Sequence, residues 1–502
     1  MQSNVTEWLD KTAEAYPENL AICYDEDGLT WREYREKSLG VAEKIIELQY
    51  GPKRPVVVYM DKSPAVLVSF MGIAYSGNFY SPIDTDMPMT RAKKILEILN
   101  PGIVITTNEL KCKFDSIGYT GEYIIYDNVK ECSISEKVKN RISDIIDTDI
   151  LYVLFTSGST GTPKGVCISH SSVIDYIDWV CDTFNISSGD SFANQAPFYF
   201  DNSILDIYSS LKTGAPLYIV PSKLFSQPVL LLEYLKEKEI STIFWVPSAL
   251  IVVSRLKAFK DSDVSKTLKR VLFCGEVMPN KQLNIWRSFL PDVMYANLYG
   301  PTEITDACTY YIVDREFRDD EPLPIGKPMR NTDILVLDNE DHLVTDIGIV
   351  GELCVRGTGL AKGYYNNPEK TQDAFVQNPL NNAYPEKIYR TGDLVQYNDR
   401  HELIYMSRKD FQIKHMGHRI ELGEIETAVS SLEGISLCCC LYNEARSRIT
   451  LFIDQDISKD EIIQRLKLLI PDYMLPGKVV YINEMPMNLN GKIDRVKLKE
   501  LL

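Results

Sequence analysis

A short loop rich in glycine and hydroxyl side chains follows a compact apolar run. The apolar residues are Leu151–Phe155, and the loop that they enter, Thr156–Gly165, has the sequence TSGSTGTPKG. In such a loop the glycines let backbone N–H groups approach an anion, the hydroxyls donate hydrogen bonds and the lysine adds positive charge. The segment therefore predicts polyphosphate binding, with a flexible surface loop as the alternative. It is not a Walker A loop, because Lys164 is followed by Gly165 rather than by serine or threonine.

Three other patterns that could support chemistry indicate ordinary structure instead. The stretch Gly357–Gly363 lacks the dinucleotide-binding fingerprint, since Lys362 stands where the third glycine belongs. The triplet Cys438–Cys440 has no CxxC pair or Cys/His cluster beside it, so buried thiols on opposite faces of a strand are expected rather than a metal site. His415 and His418 lie in a glycine-containing loop and predict a solvated turn rather than a ligand set.

The composition is that of a globular protein and excludes several classes. The chain has 502 residues, 45% hydrophobic and 25% charged, with a net charge of −16. An acidic chain without a block of lysine and arginine is a poor candidate for nucleic-acid binding. No apolar run is long enough to cross a membrane, and the amino terminus lacks the features of a signal peptide. The eleven cysteines predict reduced thiols and a cytoplasmic protein.

The elements that must position the loop alternate between strand and helix. Compact apolar runs such as Val56–Met60 and Ile103–Thr106 are separated by helical segments, which predicts an α/β fold with parallel sheets covered by helices. From about Ile334, short strands alternate with turns rich in glycine and asparagine and predict an antiparallel, β-rich subdomain. The last ninety or so residues return to mixed α and β. The expected domains are an N-terminal core, residues 1–409, and a small mobile α+β lid, residues 410–502.

Several ordered motifs resemble those of the adenylate-forming superfamily, which contains acyl-CoA ligases, luciferases and amino-acid adenylation domains. The resemblance covers essentially the whole chain. The matching segments, in chain order, are LTWREY (29–34), FTSGSTGTPKGV (155–166), NLYGPTE (297–303), GELCVRGTGLAKGY (351–364), YRTGDL (389–394), residues 408–426 and NGKIDR (490–495).

This resemblance implies a reaction in two halves and assigns roles to residues. A carboxylate attacks the α-phosphorus of ATP to give an acyl-adenylate, and a thiol then displaces AMP. The implied ATP-binding residues are Thr156, Ser157, Ser159, Thr160, Lys164, Asn297, Leu298, Tyr299, Gly300, Pro301, Thr302, Asp393, Arg408 and Lys492. Within that set Tyr299 would stack on adenine, while Asp393 and Arg408 would hold the ribose. Lys492 is similar to the family's catalytic lysine, which also contacts the substrate carboxylate, and Glu303 to its magnesium ligand and catalytic carboxylate.

The resemblance also implies a moving lid. In the family the C-terminal domain rotates between the two half-reactions about a residue that matches Asp410. The rotation withdraws the residue that matches Lys492 and brings the one that matches Gly417 to the thiol channel.

The nature of the activated acid depends on three residues. Amino-acid-activating members carry an aspartate at the place of Asp201, where it pairs with the substrate ammonium group; a helix N-cap is the alternative. Cys274 and the segment around Asp201 resemble the D-alanine–D-alanyl carrier protein ligase branch. Asp306, however, stands where that branch has a small apolar pocket residue, so a second carboxylate would suit a more polar substrate unless it bonds to the backbone.

The function expected from this pattern is ATP- and Mg²⁺-dependent activation of a small amino acid, with D-alanine as the first candidate. The aminoacyl group would pass to the phosphopantetheine thiol of a carrier protein. The alternatives are a stand-alone adenylation domain of the nonribosomal-peptide type for a more polar amino acid, an acyl-CoA ligase and a non-catalytic nucleotide-binding scaffold.

Overall fold

The computed structural model describes residues 2–158, 161–260, 264–435, 437–487 and 493–502. Three residues of the predicted site, Ser159, Thr160 and Lys492, lie outside the described residues.

Helices cover the sheets along most of the chain. Their bounds are α1 Thr6–Ala15, α2 Trp31–Glu47, α3 Pro64–Tyr75, α4 Met89–Leu99, α5 Asn108–Asp115, α6 Glu136–Ser143, α7 His170–Phe184, α8 Asn202–Thr213, α9 Pro228–Glu237, α10 Pro247–Arg255, α11 Asn280–Phe289, α12 Pro368–Ala374, α13 Leu422–Ser430, α14 Lys459–Leu466 and α15 Arg495–Lys499. None of the helices in the described part of the chain combines the length and hydropathy needed to cross a membrane.

The strands occur throughout the chain. The bounds up to residue 300 are β1 Leu20–Tyr24, β2 Asp27–Thr30, β3 Pro55–Tyr59, β4 Phe79–Pro82, β5 Ile103–Thr106, β6 Glu122–Ile125, β7 Ile150–Thr156, β8 Lys164–Ser169, β9 Phe192–Asn194, β10 Leu217–Ile219, β11 Thr242–Trp245, β12 Arg270–Phe273 and β13 Met294–Tyr299. The later strands are β14 Thr309–Ile312, β15 Lys327–Pro328, β16 Thr332–Leu337, β17 Gly351–Gly357, β18 Phe375–Gln377, β19 Lys387–Tyr397, β20 Leu403–Arg408, β21 Gln412–His415, β22 His418–Glu421, β23 Cys438–Asn443, β24 Arg448–Ile453 and β25 Lys478–Tyr481.

Two large sheets form the N-terminal part. One has the order β15-β14-β13-β12-β11-β9-β10-β1-β2 and is parallel from β13 to β1, and the other has the order β6-β5-β3-β4-β7-β8. The predicted parallel arrangement holds from β6 to β7, but β8 is antiparallel to β7 because the intervening loop reverses the chain into a hairpin. This hairpin is the predicted phosphate loop.

Local sequence explains how the helices between these sheets begin and what they bury. Thr30 caps α2 in a reciprocal capping box with Glu33, as the spacing of the two residues predicts. Helix α3 is apolar on nearly all faces and is buried from Val66 to Tyr75, so it lies inside the core rather than on the surface. The main core extends across both sheets and their helices.

The chain changes character after β15, as predicted. Strands β16 to β20 form an antiparallel sheet in which β19 pairs with β17, β18 and β20. The hairpin β21–β22 and the sheet β23-β24-β25 follow, with their own core. Cys438 and Cys440 face that core while Cys439 faces a separate small cluster, so the prediction of thiols on opposite faces of a strand is confirmed.

Candidate active site

The described residues of the predicted phosphate loop join the end of β7 to the start of β8. Gly161 N donates to Gly158 O at 2.9 Å, and a Cβ at Gly158 would lie 2.1 Å from Thr162 O, so this position requires glycine. The Thr156 hydroxyl is buried and has no hydrogen-bond partner within the described ranges. Lys164 begins β8, and its Nζ lies 5.2 Å from the centre of the Tyr364 ring. Burial lowers the pKa of Lys164, and the neighbouring Arg419 lowers it further.

Glu303 lies in the turn after β13 and is fully buried. One carboxylate oxygen accepts a hydrogen bond from the Tyr364 hydroxyl at 2.8 Å, and the other forms an ion pair with Nη1 of Arg419 at 2.6 Å. Burial alone would raise the pKa of Glu303, but Arg419 and Lys164 together hold it at about 2. Glu303 is therefore ionised, and each of its carboxylate oxygens has one partner in this arrangement.

The residues predicted to hold ribose form a closed network. The carboxylate of Asp393 accepts hydrogen bonds from the Tyr299 hydroxyl and, at 2.6 Å, from Nη1 of Arg408. The same guanidinium contacts both carboxylate oxygens of Asp410 at 2.6 and 2.9 Å. Burial alone would raise the pKa of Asp410, but this bidentate contact lowers it. The predicted hinge residue is thus tied directly to the predicted ribose residues.

The three residues predicted to contact the amino acid come together at the other end of the site. Asp201 is partly exposed at the start of α8, and its carboxylate accepts from Asn202 N at 3.0 Å. Asp201 therefore occupies the N-cap position that was its alternative assignment, and the charge of Glu303 raises its pKa beyond the effect of burial. Asp306 and Cys274 are both buried, and the charges of Asp201 and Asp306 both act on the Cys274 thiol and raise its pKa beyond the effect of burial.

The hairpin β21–β22 covers the site. Gly417 N at its tip donates to Oε1 of Glu276 at 2.8 Å, and a Cβ at Gly417 would lie 2.9 Å from the Val246 side chain. Ser157 Oγ donates to Arg419 O at 2.7 Å, which joins the hairpin to the phosphate loop. Nζ of Lys414 lies 5.4 Å from the centre of the Tyr299 ring. The hairpin therefore reaches the predicted adenine, phosphate and thiol regions at once.

The turn at residues 415–418 is not solvated in the way that the sequence predicts. His415 and His418 pair across the hairpin, but the His418 ring is stacked on Tyr473 with ring centres 3.7 Å apart. Burial lowers the pKa of His418 to about 3 and keeps the ring neutral. The prediction of a turn is correct. Solvation holds at the tip, where Met416 is 63% exposed, but not at His418, because Tyr473 packs against that ring.

The remaining predicted ATP residues are buried in or just after β13. Asn297 Nδ2 donates to Pro324 O at 2.8 Å, Leu298 belongs to the main core, and Gly300 and Pro301 form the turn that leads to Thr302. A cleft of about 280 Å³ lined by Lys53, His170 and Lys362, among others, contains none of the predicted residues. Four further residues that the sequence did not single out touch the site: Tyr176, Glu276, Lys414 and Arg419.

A comparison of the sequence with known protein families identifies the family to which the chain belongs. The sequence profile described as AMP-binding enzyme matches residues 9–365. The chain belongs to the AMP-binding enzyme family. The predictions of an adenylate-forming enzyme, of an AMP-forming ligase and of ATP as the nucleotide substrate are thereby confirmed.

Individual relatives of this AMP-binding enzyme cover nearly all of it. Zwittermicin A synthase ZmaJ of Bacillus cereus is 32% identical over 490 residues, which is 95% of this chain and 91% of that protein. D-alanine–D-alanyl carrier protein ligase of Listeria monocytogenes is 32% identical over 514 residues, which is 99% of both chains. Other relatives are much longer, and the chain spans as little as 8% and at most 45% of their length.

Solved structures share the fold. The Vibrio cholerae adenylation domain AlmE, crystallised with glycyl-adenosine-5'-phosphate, superposes with a TM-score of 0.85 at 21% identity and covers 100% of this chain and 98% of its own. The predicted α/β fold class is therefore confirmed for this AMP-binding enzyme.

Proposed function

We propose that this enzyme activates an amino acid as its adenylate and transfers the aminoacyl group to the phosphopantetheine thiol of a carrier protein. The observation that carries the proposal is Asp201, a carboxylate at the start of α8 that forms no ion pair within the described ranges and lies near enough to Glu303 for the two charges to interact. A carboxylate there can pair with an ammonium group, which aliphatic and aryl acids lack. D-alanine, named in the Listeria relative, is the first candidate.

In the first half-reaction the substrate carboxylate attacks the α-phosphorus of ATP, the bond to pyrophosphate breaks and pyrophosphate leaves. The loop hydroxyls of Thr156, Ser157, Ser159 and Thr160, together with Lys164, are proposed to donate to the phosphate oxygens. Lys492 is proposed to bridge the substrate carboxylate and the α-phosphate, where negative charge is concentrated.

Glu303 is the proposed ligand for Mg²⁺. Within the described ranges no cluster of three or more metal-binding side chains occurs, and a single carboxylate fits Mg²⁺, which takes one or two carboxylates and completes its shell with water and substrate phosphates. When bound, the ion would neutralise charge on the phosphates. Both oxygens of Glu303 are engaged, and we propose that Arg419 leaves before Mg²⁺ binds, because its positive charge would repel the ion.

In the second half-reaction the carrier thiol attacks the acyl carbon, the bond to AMP breaks and AMP leaves. We assign the arrangement with Gly417 against Val246 and Glu276 to this step, because the resemblance implies that the residue matching Gly417 lies at the thiol channel when the thiol attacks. Residues 410–502 would rotate as a lid about Asp410 on residues 1–409. That rotation would break the two hydrogen bonds between Arg408 and Asp410.

The proposed setting is the cytoplasm, where ATP and reduced thiols coexist. All eleven cysteines are free, and most are buried. Burial raises the pKa of the Cys167 thiol to about 12, which makes it unreactive.

The test is ATP–pyrophosphate exchange over a panel of amino acids, followed by loading of a phosphopantetheinylated carrier measured by mass spectrometry. Exchange with amino acids and loading of the carrier are expected. Exchange with aliphatic or aryl acids alone would instead identify an acyl-CoA ligase, and no exchange with any acid would identify a nucleotide-binding scaffold.

A further inference from the structure

Lys62 directs its ammonium group into the protein at a place outside the predicted active site. The residue stands just before α3, and its Nζ donates hydrogen bonds to Asn194 O at 3.3 Å and to Gln195 O at 3.1 Å. The same nitrogen lies 5.2 Å from the centre of the Phe198 ring. Burial lowers the pKa of Lys62 to about 7, although the charge of Asp206 acts against this. The side chain therefore bonds to main-chain oxygens in a place that is unfavourable for a charge.

Asp206 belongs to the same buried cluster. It lies on α8, is fully buried, and its Oδ2 accepts a hydrogen bond from Asn194 Nδ2 at 3.0 Å. Burial raises the pKa of Asp206 to about 8, whereas the bond from Asn194 and the charge of Lys62 lower it. Both charged residues thus hold Asn194, the last residue of β9. Apolar residues in place of a buried charge pair often leave a protein no less stable, so stability alone does not explain this cluster.

One segment of the chain, residues 194–201, leads from the end of β9 to Asp201 at the start of α8. Lys62 bonds to the first two residues of this segment and contacts it again at Phe198. Phe198 is buried and packs edge-on against Phe70 of α3, with ring centres 6.4 Å apart. The segment is therefore held at its start and in its middle by Lys62 and α3.

The position of the Asp201 carboxylate depends on this backbone. It accepts a hydrogen bond from Asn202 N of its own helix and forms no ion pair within the described ranges. The charged side chains with the largest effect on the pKa of Asp201 are Glu303 and Lys414. Lys62 can therefore influence Asp201 through the backbone rather than through its charge. A carboxylate that is already in place binds a ligand more tightly, because less order has to be created on binding.

We propose that Lys62 is a positioning residue for Asp201. With Asn194 and Asp206 it fixes the segment 194–201 and so holds the Asp201 carboxylate where the substrate ammonium group binds. The inference rests on the proposed function, since Asp201 is the proposed partner of that group. It adds to the amino-acid site buried residues that do not themselves touch the substrate.

The first test is Lys62→Met, which keeps an unbranched side chain and removes its charge and donors. In ATP–pyrophosphate exchange on the full chain, the KM for the preferred amino acid should rise about tenfold, because a small displacement of a binding group has a large effect. The kcat and the KM for ATP should stay within about threefold, since a loss of binding alone leaves kcat unchanged.

A double-mutant cycle shows whether Lys62 acts through Asp201. Asp201→Asn removes the charge that Lys62 is proposed to position, so adding Lys62→Met to it should change the KM for the amino acid by less than about twofold. Independent roles would instead multiply the two losses. The matched control is Lys212→Met, which should leave every parameter within about twofold. Lys212 is a partly buried lysine of α8 whose Nζ contacts Asp178 Oδ1 at 2.7 Å.

A second variant serves if Lys62→Met does not fold. Lys62→Met combined with Asp206→Asn removes both buried charges, so no carboxylate is left without its cation. It should raise the KM for the amino acid as much as Lys62→Met does, with kcat again nearly unchanged.

The outcomes separate this inference from the proposed function. A folded Lys62→Met variant whose amino-acid KM stays within about twofold of wild type would overturn the role of Lys62. Losses that multiply in the Asp201→Asn background, or equal changes in kcat and both KM values, would also overturn it. Each of these results leaves amino-acid activation intact. Absence of exchange with every amino acid in the wild type would overturn the proposed function as well.

Discussion

Glu303 and Asp306 are three residues apart on the same turn, yet the protein treats the two carboxylates in opposite ways. Glu303 has a partner on each oxygen and a pKa lowered to about 2, and one of these partners is the guanidinium of Arg419 from the lid hairpin. Asp306 has one neutral partner, Tyr176, and a raised pKa. Burial is nearly the same for both, so the partners make the difference.

The comparison shows where the protein supplies positive charge and where the ligand must supply it. At the predicted phosphate end, the charges of Lys164 and Arg419 lower the pKa of Glu303, so the protein itself supplies the positive charge. At the amino-acid end, within the described ranges, neither Asp201 nor Asp306 forms an ion pair. Two carboxylates without a cation are a poor resting arrangement and a good receptor for an ammonium group.

Removal of Asp201 should have the largest effect at the amino-acid end. We expect Asp201→Ala to cost about 2–5 kcal/mol in kcat/KM for the amino acid, because one partner of a desolvated ion pair is lost, while the KM for ATP stays within a few-fold. Steady-state pyrophosphate exchange measures both. Asp201→Asn separates charge from capping, since asparagine caps a helix as well as aspartate does. If Asp201→Asn retains wild-type efficiency, Asp201 is only a helix cap.

At the phosphate end, Lys492→Ala should slow adenylation by about 10²–10³-fold, the usual scale for loss of one preorganised charge-stabilising donor. Thiol transfer from a preformed adenylate should change far less, because the lysine is expected to be withdrawn in that step. Single-turnover assays of the two half-reactions measure the difference. Equal loss in both would contradict the proposed lid motion.

The ion pair between Arg419 and Glu303 forms when the hairpin β21–β22 lies against the site. Its loss should therefore change mainly the rate of thiol transfer. Arg419→Ala removes the only cation that is ion-paired with the buried Glu303 carboxylate in the described arrangement, so we expect transfer to slow by about tenfold or more. Adenylation should remain within a few-fold, because Arg419 is proposed to leave Glu303 before that step. Arg419→Lys, which keeps the charge, is the control. A variant that loses adenylation and leaves transfer unchanged would show that Arg419 serves the other half-reaction.

The sequence predicted many of the elements because their motifs are local, and the predicted roles of the site residues stay predictions. The loop after β7, the turn after β13 and the capping box of α2 each occupy one continuous segment. Arg419 and Tyr176 were missed because their contacts join segments 116 and 130 residues apart. Consecutive side chains of β22 point to opposite faces, so Arg419 lies on the face away from the core residue Ile420. This alternation could have identified Arg419 as a candidate site residue.

The smallest effect should come from pH, and it distinguishes the two ends directly. Burial raises the pKa of Asp201 and of Asp306, whereas the pKa of Glu303 is about 2. The ionised form of Asp201 attracts the substrate ammonium group, so kcat/KM for the amino acid should fall as the pH decreases through the raised pKa, by at most about tenfold per unit. Glu303 stays ionised throughout and contributes nothing to this change.

The measurement is a profile of kcat/KM for the amino acid between about pH 5 and pH 8, with Asp201→Asn and Asp306→Asn as controls. Each variant removes one titrating carboxylate, so at least one should flatten the acid side of the profile. An acid side that is unchanged in both variants would mean that the titrating group lies elsewhere, and the contrast between the two ends would lose its kinetic consequence.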